Sequence, residues 1–282
     1  MLVTIAAMTK KNETGFKGFL RRLGPGLVTG AADDDPSGIG THSQVGAEFG
    51  YGLAWTFVLS FPLMVVIQEV AAQIGRVTGR GIAANVRRHY PRALLLGIVL
   101  LLLVANIINL GADLSAMGAA LQLLTGGYAV IYTIGFGFLC VVVEVMVPYD
   151  RYAGILKWTT LSLFTYVAVV LVSNAPWQEA VTALVIPDIE WTPAYATALV
   201  AILGTTISPY LFFWQAAQEI EEQHRHHSKP LYETPAKAEP ELQRIRIDTL
   251  TGMAFSSIIA LAIVYAAAAT LHANGIRNIE TS

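Results

Sequence analysis

The sequence predicts an all-α membrane protein, and two features carry that prediction. Its 282 residues are 54% hydrophobic and only 13% charged, whereas soluble domains contain about 25% charged residues. Apolar runs of about 20 residues, the length that crosses a bilayer as a helix, recur along most of the chain. The net charge of −2 gives no indication of nucleic-acid binding, and the single cysteine, Cys140, excludes a disulfide within the chain.

Seven transmembrane spans are expected, each an apolar run close to that length. In chain order they cover Phe19 to Gln44, Gly52 to Ile74, Ala93 to Leu124, Tyr128 to Val147, Tyr152 to Ser173, Pro193 to Glu219 and Ile247 to Leu271. Together they define a transmembrane domain over 19–272. Residues 1–18 are predicted to be a cytoplasmic N-terminal tail, 223–246 a cytoplasmic loop, and 273–282 a polar C-terminal end at a truncation point.

The basic residues predict the orientation of these spans. If every span crosses once, 17 of the 18 Lys and Arg residues lie on one side of the membrane, and only Arg277 lies on the other. Basic residues favour the cytoplasmic side. The sequence therefore predicts a multi-pass protein of the cell (inner) membrane with a cytoplasmic N-terminus. The agreement also supports the count of seven, because one wrong span would scatter the charges over both sides.

The first span contains the most informative segment of the chain. Asp33, Asp34 and Asp35 follow one another inside an apolar run, and Pro36 comes directly after them. An ionised side chain at membrane depth costs several kcal/mol or more and is rarely there without a function. Proline opens the helix backbone, and the freed carbonyl and amide groups can hold an ion or a substrate. A cation-binding break in the helix is predicted here.

The sixth span has a second interruption, from Gly204 to Tyr210 around Pro209. Interrupted helices at corresponding positions of two five-helix repeats indicate a secondary transporter. A simple proline kink is the alternative for the sixth span considered alone. Because seven spans do not complete two repeats, we expect a fragment or a truncated gene product whose missing C-terminal helices are needed for a complete transporter. A genuine seven-helix protein is the alternative.

Several motifs in these spans resemble one family of metal-ion transporters. They are Gly24-Pro25-Gly26, Asp35-Pro36, Gly46-Ala47-Glu48-Phe49-Gly50-Tyr51, Ala71 to Gly79, and Gly204 to Tyr210. This pattern is similar to the Nramp (natural-resistance-associated macrophage protein) family, over about Leu20 to Leu271. The resemblance implies a LeuT-like inverted-repeat fold, a divalent cation bound between helices one and six, and proton-coupled uptake. It implies a transporter rather than an enzyme, and no cofactor apart from the transported ion.

The ligand motifs depart from the family pattern. Where the family has Asp-Pro-Gly-Asn, this chain has Asp35 followed by Pro, Ser and then Gly38, so the aspartate is kept and the asparagine is lost. Where the family has Met-Pro-His, it has Ser208 and Tyr210 around the proline. A family carbonyl ligand falls at Thr205. The resemblance thus implies metal ligation by Asp35, Thr205 and Ser208, in a divergent site.

The missing sulfur favours harder ions. Thioether ligands suit soft metals, while carboxylate, carbonyl and hydroxyl oxygens suit magnesium, calcium and manganese. Some Nramp-related proteins that lack the methionine are magnesium transporters. Magnesium or manganese is therefore the predicted substrate, and the sequence leaves the choice between them open.

Other polar residues are candidates for lining the site or moving protons. Asp33, Asp34, Gly38, Tyr210 and Gln215 are candidate ligands or lining residues. A second set comprises candidates for a proton pathway: the resemblance assigns Asp113, His42 falls seven residues after Asp35, and Glu69 is an acid within the second span.

Two alternative functions remain open from the sequence. A sodium-coupled amino-acid carrier of the same fold would need helix amide groups for the substrate carboxylate, rather than acids beside the break. An intramembrane aspartyl protease would need Asp35 and Asp113 close enough to share a proton. Nothing in the sequence shows the distance between those two residues.

Overall fold

A computed structural model describes residues 24–146, 160–173 and 175–279. These residues form eleven α-helices and three short 3₁₀ helices, and they contain no β-strand. The α-helices are α1 Pro25–Asp33, α2 Pro36–Phe49, α3 Trp55–Thr78, α4 Ile82–His89, α5 Arg92–Thr125, α6 Ala129–Met146, α7 Phe164–Val172, α8 Trp177–Val185, α9 Pro193–Thr206, α10 Pro209–Arg225 and α11 Ala238–Thr270. The 3₁₀ helices are Thr160–Leu163, Pro235–Lys237 and His272–Asn274.

Five helical stretches of the described part are long and apolar enough to cross a membrane. They correspond to the second, third, fourth, sixth and seventh predicted spans, although their ends differ. They are Trp55–Thr78, Arg92–Thr125, Ala129–Met146, Pro193–Arg225 and Pro235–Asn274. The first predicted span is not among them because its break divides it into α1, of 9 residues, and α2, of 14. The fifth lies partly outside the described residues, and α7 is the helix within its described part.

The predicted cytoplasmic loop over 223–246 is mostly helical instead. Residues 223–225 end α10, and 238–246 form the first turns of α11. The connection between them is held by Leu231, which is buried and whose backbone N–H donates to the Arg76 carbonyl. A polar segment can extend a helix when one of its faces packs, and Ile245 is fully buried. The short helices α4 and α8 were not predicted either.

Helix α11 lies at the centre of the bundle, where it packs against α1, α2, α3 and α7. Fifteen of its residues are buried, including small residues along most of its length. By contrast, α6 has no buried residue and α5 has two, Gly118 and Ala119. A helix that is apolar all round and exposed in the protein is typical of a lipid-facing span.

The first half-helix, α1, packs directly on the backbone of α11. A Cβ atom on Gly26 would lie 2.7 Å from the Thr249 nitrogen, and one on Gly30 would meet the backbone of Gly252. Glycine is required on both helices because any side chain there would push the two backbones apart. Small residues at membrane helix interfaces allow such close approach, and this contact positions the end of α1 that leads to the break.

Candidate metal-ion site

The break in the first span is a helix end followed at once by a helix start. Helix α1 ends at Asp33 and α2 begins at Pro36. Asp35 is the N-cap of α2, and its side chain accepts a hydrogen bond from the Gly38 N–H at 2.7 Å. Proline suits the first helical position, since it has no N–H to satisfy there. The local sequence therefore holds the Asp35 carboxylate in the gap between the half-helices.

The break in the sixth span is built in a similar way around Pro209. Helix α9 ends at Thr206 and α10 begins at Pro209. The Ser208 hydroxyl does not cap α10; it donates back to the Thr205 carbonyl at 2.6 Å. The two oxygens that the resemblance assigns to the ion from this span therefore contact each other.

The two breaks meet in the structure. The Tyr210 hydroxyl, in the first turn of α10, donates to Asp35 Oδ2 at 2.7 Å. Gly38 lies against Thr205, because a Cβ atom on Gly38 would be 3.2 Å from Thr205 Cγ2. Asp35 and the interrupted segment of the sixth span are therefore direct neighbours.

Four donors surround the half-buried Asp35 carboxylate. Oδ1 accepts from the Gly38 N–H at 2.7 Å and from the Ser37 hydroxyl at 2.8 Å. Oδ2 accepts from the Tyr210 hydroxyl at 2.7 Å and from Asn109 Nδ2 at 3.1 Å. Hydrogen bonds to an ionised carboxylate are stronger than those between neutral groups, so four donors of this kind fix the position of the Asp35 side chain in the gap.

Asp113 belongs to the same network, although it does not contact Asp35 directly. Its Oδ1 accepts from the Ser37 backbone N–H at 2.9 Å, and its Oδ2 accepts from Asn109 Nδ2 at 3.3 Å. Asn109 was not predicted from the sequence. The signal was available, since Asn109 lies one turn before Asp113 on the same face of α5.

Asp33 and Asp34 are both buried but have different surroundings. Asp33 Oδ2 accepts from the Ser256 hydroxyl of α11 at 2.5 Å. Asp33 Oδ1 and Asp34 Oδ2 have no hydrogen-bond partner in the described part of the chain. Neither residue is hydrogen-bonded to Asp35 in the described part of the chain, so the three acids do not form one hydrogen-bonded group.

The remaining candidates lie outside the Asp35 network. His42 is buried with its ring centroid 5.4 Å from that of Phe57, and its Nδ1 has no partner among the described residues. Glu69 accepts a hydrogen bond from Gln73 Nε2 at 2.9 Å on the same helix. Gln215 is fully buried, and neither of its side-chain polar atoms has a hydrogen-bond partner among the described residues.

No group of three or more His, Cys, Asp or Glu side chains in the described ranges is placed to hold one metal ion. A cation at the breaks would therefore combine one carboxylate with neutral oxygens. The nearby carbonyl of Thr205 and hydroxyls of Ser37 and Ser208 are of that kind, and such oxygen ligands suit hard divalent cations.

At the end of the bundle that carries the start of α1, polar contacts hold three helices together. Asp248 of α11 accepts hydrogen bonds from the backbone N–H groups of Gly24 and Gly26, both at 2.8 Å, and of Leu27 at 3.3 Å. Arg244, one turn earlier, forms an ion pair with the buried Glu219 at 2.6 Å. These contacts connect α1, α10 and α11 below the breaks.

At the opposite end, a cavity of about 1230 Å³ extends towards the break. Its walls come from α2, α5, α9 and the end of α11, and Pro36 is the lining residue next to Asp35. Polar lining residues include Thr41, Ser43, Gln44, Glu48, Ser115 and Thr197. Among the described residues, the candidate site thus lies between this cavity on one side and the contacts of Asp248 and Arg244 on the other.

The sequence profile of the natural resistance-associated macrophage protein-like (Nramp) family matches residues 26–282. The chain belongs to this family. It is 26% identical to a divalent metal cation transporter MntH of Verminephrobacter eiseniae and 27% identical to that of Deinococcus radiodurans. These matches cover 96% and 94% of this chain but 60% and 59% of the relatives, so the chain spans about three fifths of their length.

A solved structure, the Eremococcus coleocola manganese transporter, shares the fold with a TM-score of 0.72. The match has 20% sequence identity and covers 92% of this chain and 53% of the other. The predicted family and LeuT-like membrane fold are therefore confirmed. The relatives are named as transporters rather than enzymes.

Proposed function

We propose that this chain supplies the ion-binding part of a secondary transporter for a hard divalent cation, magnesium or manganese. The observation that carries the proposal is the hydrogen bond between Asp35 and Tyr210, which joins the interrupted helices of the first and sixth spans. The names of the relatives support the same class of substrate.

The proposed ligands are the Asp35 carboxylate, the Thr205 carbonyl and the Ser208 hydroxyl. Ser208 now donates to the Thr205 carbonyl, and rotation of its hydroxyl would free both oxygens for an ion. Magnesium keeps several waters when it binds proteins, which suits a site with few protein ligands. We assign Gly38 and Tyr210 to the wall of the site, and Asp33, Asp34 and Gln215 to the side below it.

Proton linkage is proposed to run through Asp113. Ser37 and Asn109 both connect Asp113 to Asp35. A change of charge at one carboxylate would therefore alter the hydrogen bonds that the other receives. Among the described residues, neither His42 nor Glu69 is hydrogen-bonded to this network. They remain candidates for a proton route that reaches the site by water.

The network weighs against both alternative functions. An amino-acid carrier needs free amide groups at the half-helix N-terminus, but the amides of Ser37 and Gly38 already bind Asp113 and Asp35. An aspartyl protease needs two carboxylates that share a proton. Here the Asn109 amide donates to both carboxylates.

The distribution of basic residues supports a cytoplasmic N-terminus. In that orientation the cavity beside Pro36 opens to the outside of the cell, and the end that carries Asp248 faces the cytoplasm. We therefore propose that the structure represents an outward-facing state that receives the cation from outside.

The test is divalent-cation binding by the purified chain. Manganese titration should give at least a tenfold loss of affinity in Asp35→Ala, since the site loses its only charged ligand. Asp188→Ala, which removes an exposed acid between α8 and α9, is the matched control and should bind as wild type does. Wild-type affinity in Asp35→Ala would show that the ion binds elsewhere.

A further inference from the structure

The contact between Tyr210 and Asp35 has a consequence for ion selection. An ionised carboxylate offers about four lone-pair positions, two on each oxygen. All four positions of Asp35 are filled by protein donors: Gly38, Ser37, Asn109 and Tyr210. A cation that coordinates Asp35 directly must therefore displace one of them.

The location of the proposed site indicates which donor must leave. An ion shared with Thr205 and Ser208 approaches Asp35 from the side of the sixth span. Tyr210 is the donor to Asp35 that comes from that span. The Ser37 and Gly38 donors belong to the same helix as Asp35, and Asn109 comes from α5, so these three hold the carboxylate from other sides.

We propose that Tyr210 is a specificity-determining residue that competes with the cation for Asp35 Oδ2. This inference rests on the proposed function. The Tyr210 hydroxyl carries one proton, and when that proton points at Asp35 it occupies a ligand position. Only an ion whose bond to the carboxylate outweighs this hydrogen bond can enter the inner coordination sphere. Every ion that bonds directly to Oδ2 loses this hydrogen bond, whereas an ion that keeps all its waters only replaces the tyrosine O–H by a water O–H.

The critical test is manganese titration of Tyr210→Phe. The change removes only the competing hydroxyl, so affinity should rise by about 10- to 100-fold, the range that corresponds to one hydrogen bond to a charged group. A direct ligand role for Tyr210 predicts the opposite sign. Unchanged or lower manganese affinity in a folded Tyr210→Phe protein would overturn the proposal.

Cobalt(III) hexaammine provides the second probe, because its ligands do not exchange and it can bind only through its outer sphere. Tyr210→Phe should raise its affinity much less than that of manganese, because an ammine N–H only replaces the tyrosine O–H as a donor to Oδ2. An equal gain for this complex and for manganese would mean that the variant alters the general field of the site, and competition for Oδ2 would be wrong.

Two further variants separate the possible failures. Tyr195→Phe is the matched control: it lies in the same span, its hydroxyl accepts from Trp55 Nε1, and it should not change manganese affinity. Asp35→Ala is titrated in parallel. Loss of binding in Asp35→Ala without a gain in Tyr210→Phe would overturn only the role of Tyr210. Full binding in Asp35→Ala would instead overturn the proposed site. Thermal unfolding of each variant checks that it is folded.

Discussion

Replacement of Asp248 by alanine should release the start of α1 from α11. The Asp248 carboxylate is fully buried and accepts three backbone N–H groups, from Gly24 just before α1 and from Gly26 and Leu27 in its first turn, at 2.8, 2.8 and 3.3 Å. The first N–H groups of any helix lack partners within that helix. With alanine at this position, the N–H groups would face a buried space with no acceptor from Asp248.

The size of the effect follows from those three contacts. A hydrogen bond to a charged group contributes about 1.5–3 kcal/mol, but one of the three is long and such contributions do not add fully. We therefore expect Asp248→Ala to lower the free energy of unfolding by about 3–5 kcal/mol, the range for breaking a buried charged pair. Asp248→Asn keeps one acceptor oxygen and should lose about half as much.

Thermal unfolding in detergent and hydrogen exchange measure this prediction. One kcal/mol shifts Tm by about 2–4 °C in chains of 150–250 residues, so Asp248→Ala should melt about 10 °C lower. The amides of residues 24–27 should lose protection first, while those of α5 should not change. Asp188→Ala, at an exposed position, should match wild type. Wild-type melting and wild-type exchange at 24–27 would refute the capping role of Asp248.

Two other predictions concern selectivity and packing. Ser208→Met should shift the ion ranking from magnesium towards manganese, iron or cadmium in competitive uptake, because it adds a soft sulfur ligand. Gly38→Asn should add a smaller shift than Ser208→Met, since its Cβ would lie only 3.1–3.2 Å from neighbouring atoms. An unchanged ranking in both variants and in the double variant would show that neither position faces the ion. Gly252→Ala should destabilise the protein by about 1–3 kcal/mol, since its Cβ would collide with the Gly26 carbonyl. Gly97→Ala on α5 is the control and should not destabilise the protein, because a Cβ there would have no atom within 4 Å. Equal melting temperatures of the two variants would contradict the close contact of α1 and α11.

Local chemistry made the main features of the fold readable in the sequence. Apolar runs of membrane length predict spans because a bilayer leaves the backbone no other partner than itself. The proline after Asp35 and the one after Ser208 predict helix starts because proline fits the first turn and not the interior. The two helix breaks and the position of Asp35 at the first of them could thus be predicted without a structure.

Composition is a poor guide to structure where packing outweighs it. The polar segment 223–246 was predicted as a loop, yet its ends are helical because Ile245 packs in the core and Arg76 holds the connection at Leu231. Polar composition suggests solvent exposure, but it does not show that one face of a helix is covered.

The sequence by itself determined the membrane class, the interrupted first and sixth spans and the oxygen-rich character of the candidate site. Only the tertiary structure decided that Tyr210 and Asn109 bind Asp35, that Ser208 turns to its own backbone, and that Asp248 caps α1 from a distance of more than 200 residues in sequence. The physical reason is that a helix start or an apolar run is a local property. A hydrogen bond between two spans depends on how the helices pack, and no short segment encodes that packing.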